Sequence, residues 1–204
     1  MSFDNENPGF YMIDISRFDD KQFAFGEEVE PIVLGDCEYC PKCGKPISLM
    51  KWLNPMYVKL SKPAYGDFVY GTFEFFLVSS RFKEQYDQSD LKGIQSFQRI
   101  DGIKVSRMKL HSPAPEEYYY ITPVLSHMKI DNKRSRIKGQ RNGFKCSVCN
   151  PRGITNDKID GFTLVSDDWN GEDIFRVYEL GSTVFMTQKF VDFCIRKGFT
   201  NLKY

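Results

Sequence analysis

Histidine is scarce in this chain: only His111 and His127 occur among 204 residues, and neither sits in a recognisable motif. The sequence also has no phosphate-cradling glycine loop and no paired carboxylates beside a metal motif. Together these gaps argue against an enzyme. An excess of one charge is missing too, since the formal net charge is +1, and a strongly basic nucleic-acid binder is disfavoured. No apolar run approaches transmembrane length, and the N-terminus lacks the basic-then-apolar order of a signal peptide. The expectation is a soluble cytoplasmic protein with no membrane partner. With 41% hydrophobic residues it can bury a substantial core as one large domain or two small halves.

Cysteine is what the chain does have, and its spacing organises the rest. Cys40-Pro41-Lys42-Cys43-Gly44 places two thiols two residues apart around a turn, and Cys146-Ser147-Val148-Cys149 repeats that spacing before Asn150-Pro151-Arg152-Gly153. Two such knuckles supply four thiolates, the complement of a closed structural zinc site, so Cys40, Cys43, Cys146 and Cys149 are the expected ligands of one Zn2+ ion. Cys37 lies three residues before Cys40 and makes Cys37/Cys40 a competing pair, although Cys40 to Gly44 has the better turn chemistry. Alternatives are unrelated buried thiols, a redox pair, separate ions completed by His111 and His127, or three disulfides. A reducing compartment and a chain longer than small disulfide scaffolds weigh against bridges. A thioredoxin-like role wants a CxxC at a helix N-terminus, whereas a strand or loop follows each pair here. Cys194, in a helical pattern with Phe190 and Phe193, reads as a small buried apolar residue.

Taken in order, Phe10–Ile15 reads as a first strand. Residues 1 to 38 hold ten acids (Asp4, Glu6, Asp14, Asp19, Asp20, Glu27, Glu28, Glu30, Asp36, Glu38) against Arg17 and Lys21. Such a run is a solvated face or a docking surface for a basic partner. Strands are expected at Met56–Leu60, Phe68–Tyr70, Thr72–Val78 and Ile94–Ile100, with a helix over Arg81–Tyr86 capped by Ser79 or Ser80 and stopped by Lys92-Gly93. Asp101-Gly102 suggests a hairpin turn into Ile103–Val105. Tyr118–Leu125 is an aromatic strand whose Pro123 implies an edge or a bulge. Seven bases follow between Lys129 and Lys145 with only Phe144 interleaved, a solvated connector rather than a base-stacking surface.

Beyond the second knuckle the chain echoes itself. Cys40, Cys43 and Asp67 find counterparts 106 residues later in Cys146, Cys149 and Asp173; Ser79 to Phe82 matches Thr187 to Phe190, and Lys92-Gly93 is matched with Lys197-Gly198. In the second copy Thr187 is the expected helix cap and Gly198 the stop. The expected fold class is α+β, two pseudo-repeated units of mainly antiparallel strands plus one helix each, tied by one shared zinc site. Within a single compact domain 1–204, this divides the chain into an N-terminal strand region 1–36, a unit 37–105, a connector 106–145 and a unit 146–204.

The paired cysteine motifs, Phe76-Leu-Val-Ser-Ser-Arg-Phe82, Leu91-Lys-Gly93 with Phe97, Trp169-Asn-Gly-Glu-Asp-Ile-Phe175 and Gly198-Phe-Thr-Asn-Leu202 together resemble the double-CXXCG-motif proteins. That family was first noted among myxobacterial paralogues and is classed as immunity proteins of contact-dependent toxin systems. The resemblance runs from about residue 30 onward, with Asn150 standing where the family motif carries glycine. It implies a protein that binds and neutralises a cognate antibacterial toxin, and toxin protein as partner. The reading that competes with it is a zinc-stabilised nucleic-acid-binding module using Lys129 to Lys145. Oligomeric state has no signature in the sequence.

Overall fold

The computed structural model describes residues 9–13, 22–48, 50–72, 75–131, 133–138, 146–149 and 158–204. Several sequence expectations fall on other residues and lie outside this description: Asp4, Glu6, Asp14, Ile15, Asp19, Asp20, Phe73, Arg141, Phe144, Lys145 and the turn that begins at Asn150. Among the described residues most of the regular elements are strands, with two helices. In order these are β1 (Phe10–Met12), β2 (Gly26–Val29), β3 (Val33–Leu34), β4 (Trp52–Leu53), β5 (Tyr57–Leu60), β6 (Phe68–Val69), β7 (Leu77–Ser79), α1 (Ser80–Asp87), β8 (Ile94–Arg99) and β9 (Gly102–Val105). Then come β10 (Tyr118–Ser126), β11 (Lys129–Ile130), β12 (Arg136–Lys138), β13 (Lys158–Gly161), β14 (Leu164–Val165), β15 (Ile174–Val177), β16 (Leu180–Thr187) and α2 (Gln188–Arg196).

The main sheet runs β1-β16-β15-β10-β7-β6, with β8 also pairing with β10. β10 is therefore its centre, although it lies within 106–145, the span read as a connector. Its first residues pair antiparallel with β7 and its last three pair parallel with β15 (Val124↔Phe175). The register along β8 slips between Thr122 and Pro123, so Pro123 marks a bulge rather than an outer edge. A smaller sheet, β2-β5-β9, lies beside it. Here one expectation fails. Asp101-Gly102 does not fold β8 and β9 into a hairpin, because β9 pairs parallel with β5 (Tyr57↔Gly102). The Asp101 carboxylate accepts from Met56 N at 2.6 Å and Asn54 Nδ2 at 2.7 Å, which turns the chain away from β8 and toward the second sheet.

Both helices begin directly from a strand, for the same local reason. Ser79 ends β7 in an extended conformation and its hydroxyl accepts from Phe82 N; Thr187 ends β16 and accepts from Phe190 N. Each cap aims the first turn so that Phe82 or Phe190 is wholly buried, and the two rings lie 6.1 Å apart beneath the helices. α2 buries Phe190, Val191, Phe193 and Cys194 as its stripe, and it stops at Gly198, whose φ of +61° suits glycine. α1 ends earlier than Lys92-Gly93, at Asp87. Gly93 is needed for a different reason, since a Cβ there would sit 1.9 Å from the Ile174 carbonyl oxygen and only glycine permits the segment to lie against β15. Gly93 and Gly198 are thus not equivalent stops, which corrects that pairing of the two halves.

Candidate metal centre

The first knuckle is shaped by its own backbone. Cys40 N donates to Lys45 O at 2.8 Å, Gly44 N donates back to Cys40 O at 2.9 Å, and Gly44 takes a φ of +68°. This is the tight loop that turns Cys40 and Cys43 toward one point, and glycine is what allows it to close. In the second knuckle Val148 N approaches Cys146 Sγ at 3.5 Å, while Lys42 Nζ donates to Ser147 Oγ at 2.6 Å and links the two loops. Leu125 at the end of β10 and Tyr178 just after β15 pack against the cluster, with Ile47 and Val148 closing its sides. The main sheet thus supplies the seat, and the knuckles are laid onto it.

All four Sγ atoms lie within 4.8 Å of one another, with Cys40 and Cys146 at 3.8 Å and Cys43 and Cys149 at 3.6 Å. A disulfide needs about 2.05 Å between sulfurs, so these are not bridges. A tetrahedron of Zn–S bonds of about 2.3 Å has S···S edges of about 3.8 Å, which is what these pairs offer. Four thiols in one small volume cannot all ionise unaided. Backbone N–H groups of Cys149 and Val148 pull the Cys146 thiol down to about 6, and burial pushes Cys149 up, with the neighbouring thiols adding to the rise. Burial opposes ionisation of Cys40, but N–H groups of Cys43 and Lys42 overcome it and lower its pKa. A cation at the centre would remove the mutual repulsion and hold all four as thiolates. The cluster is therefore positioned to bind a metal ion, and Cys40, Cys146 and Cys149 are buried.

Cys37 stands outside the cluster, and its thiol interacts with the Tyr39 hydroxyl, raising the Tyr39 pKa. Cys194 is buried in the main core, as its helical pattern suggests. Neither His111 nor His127 joins the four cysteines. No protein-family model and no curated protein matches this chain. Among the described residues, no helix is long and apolar enough to cross a membrane.

Two features near the centre have no clear sequence signal. Arg176, a single base inside the apolar strand β15, is almost completely buried. Its Nε donates to Pro123 O at 3.0 Å, one terminal nitrogen pairs with Glu38 at 2.9 Å, and the guanidinium lies 5.1 Å from the Phe75 ring centre. Glu38 precedes the first knuckle by two residues, so this pair ties the knuckle to the sheet independently of any metal. The second is a cleft of about 270 Å³ beside it, between Trp52, Phe75 and Tyr120.

Proposed function

We propose that this chain is a zinc-stabilised immunity protein that binds and neutralises a cognate antibacterial toxin. The observation that carries the reading is the closed set of four cysteine sulfurs. A tetrahedral ion held there has no position left for water or substrate, so it acts as a fastener, and the work of the molecule falls to its surface. Four thiolates with no carboxylate or imidazole favour zinc among divalent ions under reducing conditions. The double-CXXCG resemblance supplies the partner class.

The same reading treats the chain as a duplication closed around its metal. One knuckle comes from each half, and each half has a buried aspartate that accepts from the capping hydroxyl of its own helix: Ser79 to Asp67 at 2.7 Å and Thr187 to Asp173 at 3.0 Å. Each aspartate also receives an N–H from the segment following the other helix, Thr200 for Asp67 and Lys92 for Asp173. Two halves that complete one another in this way, with a shared ion, would account for the 106-residue spacing.

The test is rescue by titration. Cells expressing the toxin encoded next to this chain's gene should survive only when the protein is present at about one copy per toxin, and the toxin recovered from the complex should be covalently unchanged. Protection at far lower ratios would mean catalysis and end the proposal. Salt-sensitive binding of RNA or DNA, with no toxin complex, would favour the nucleic-acid module.

A further inference from the structure

The main sheet has two unlike faces where β8 meets β10. Phe97 and Tyr119 turn toward α1: the Phe97 ring lies 5.6 Å from that of Tyr86, and Lys83 Nζ lies 5.7 Å from the centre of the Tyr119 ring. Side chains alternate along a strand, so Ser96, Gln98, Tyr120 and Thr122 take the opposite face, and the register sets Gln98 beside Tyr120 and Ser96 beside Thr122. That face is not left open to water. Trp52 and Leu53 of β4 lie against it, with Trp52 edge-on to Tyr120 at 5.5 Å, and with Phe75 they leave the cleft of about 270 Å³.

The polar part of the lining is unpartnered. Ser96, Gln98 and Thr122 are half-buried, and among the described residues their hydroxyl and amide groups have no hydrogen-bond partner. The indole N–H of Trp52, in the apolar wall, is buried and has no acceptor either. Polar groups placed in this way cost stability unless water or a ligand satisfies them. Charge narrows the ligand. Arg176 and Glu38 both line the cleft, but they neutralise one another at 2.9 Å. Exposed Lys51 also lines it and has no ion pair among the described residues, so the lining carries one uncompensated positive charge. One such cation matches a single carboxylate better than a phosphate dianion. The volume falls just below the roughly 300–1,000 Å³ of small-molecule pockets, which limits a guest to about one ring, and the aromatic walls suit a flat one.

We propose that this cleft is a binding site for a small aromatic monocarboxylate, whose ring lies against Trp52, Leu53 and Phe75, whose carboxylate is held by Lys51, and whose remaining polar group meets the row of Ser96, Gln98 and Thr122. The site does not depend on the immunity reading, and its failure would leave that reading as it stands. The probe is para-hydroxybenzoate, added to the isotope-labelled full chain. It should shift the Trp52 indole N–H and the Gln98 side-chain amide saturably at about millimolar concentration, and should raise the melting temperature. Its neutral counterpart para-hydroxybenzamide should bind about tenfold more weakly, as should the acid to Lys51→Gln, and Thr122→Val should weaken the acid about threefold. Without ligand both variants should melt as wild type does, because neither side chain is bonded to the rest of the fold, so weaker binding reports a lost contact. Acetate and inorganic phosphate, which have no ring, should not displace the probe. Absent or unsaturable shifts at about 10 mM overturn the site. Equal binding of acid and amide, or undiminished affinity in Lys51→Gln, overturns the choice of a carboxylate and with it the proposal. Displacement by phosphate would reduce the cleft to an anion hole with no use for its aromatic walls. Tighter binding of acetyl-tetraglycyl-tyrosine than of the free acid would make the occupant the C-terminus of a partner chain, and either result refutes the proposal.

Discussion

Asp67 stands just before β6 and Asp173 just before β15, and each is buried beside the cap of the helix that follows its strand pair. Their surroundings are not equal. Asp67 accepts from Ser79 Oγ, from Thr200 N and Oγ1, and from two nitrogens of Arg81 at 3.1 and 2.7 Å. Arg81 also donates to the carbonyls of Lys197 and Gly198, so one planar fork ties the first helix to the end of the second. Asp173 accepts from Thr187 Oγ1 and Lys92 N, and its cation, Lys189, lies 3.5 Å away and is shared with exposed Asp90 at 3.0 Å. The two cations are about equally exposed, so the difference comes from shape: guanidinium spans both carboxylate oxygens, whereas an ammonium divides a point charge. Two sites with the same buried acid can thus differ in how rigidly they hold the chain.

The largest break in this comparison removes the ion that the proposed zinc site would hold. Cys40→Ser and Cys146→Ser should each abolish stoichiometric zinc and cooperative unfolding, as read by metal analysis and thermal melting, because structural zinc contributes on the order of 10 kcal/mol in small peptides. Cys37→Ser and Cys194→Ser should keep the zinc. Retained metal in Cys40→Ser would void the ligand set.

Next comes the contrast between the acids. Asp67→Ala should cost about 3 kcal/mol and Asp173→Ala about 2 kcal/mol in urea unfolding, since the first leaves more buried donors without an acceptor. Equal losses would erase the asymmetry. Acid should reveal it too. Burial opposes the charge of Asp67, but Arg81, the Thr200 N–H and the Ser79 hydroxyl outweigh it and hold the carboxyl below its ordinary range. A depressed folded pKa contributes stability above the unfolded value of about 3.9 and loses it as pH falls through the folded one. Wild type should therefore lose more stability below about pH 4 than Asp67→Asn does.

The smallest effect sharpens the comparison by exchanging the cations. Arg81→Lys should destabilise by about 1 kcal/mol through loss of the bidentate contact, while Lys189→Arg should be neutral or stabilise by a few tenths. A double exchange that behaves like wild type would mean that position, not cation shape, sets the difference.

Much of this was legible because it is local. Ser79 and Thr187 announce themselves as caps by preceding Phe82 and Phe190 at capping distance, and two CxxC pairs announce a cluster of four cysteines by spacing alone. Pairing partners were not legible in the same way. Asp101-Gly102 has hairpin chemistry, yet Asp101 is claimed by Met56 and Asn54, forty-five and forty-seven residues away in sequence. Gly93 looks like a helix stop because a stop and a close backbone approach both require glycine, and only the Ile174 carbonyl distinguishes them. Arg176 is hidden for the opposite reason: one arginine in an apolar strand gives no hint that Glu38 will neutralise it.

The separation between Asp67 and Thr200 also sets an order in time. The contact spans 133 residues, so at roughly 5–20 residues per second of synthesis the carboxylate precedes its last partners by about 7 to 27 s. Over most of that interval Cys40 and Cys43 stand as a bare pair, able to offer a metal only half a shell. On the proposed zinc reading, the first knuckle has to remain reduced until the second is made, and the half-synthesised chain is the form in which its thiols are least protected.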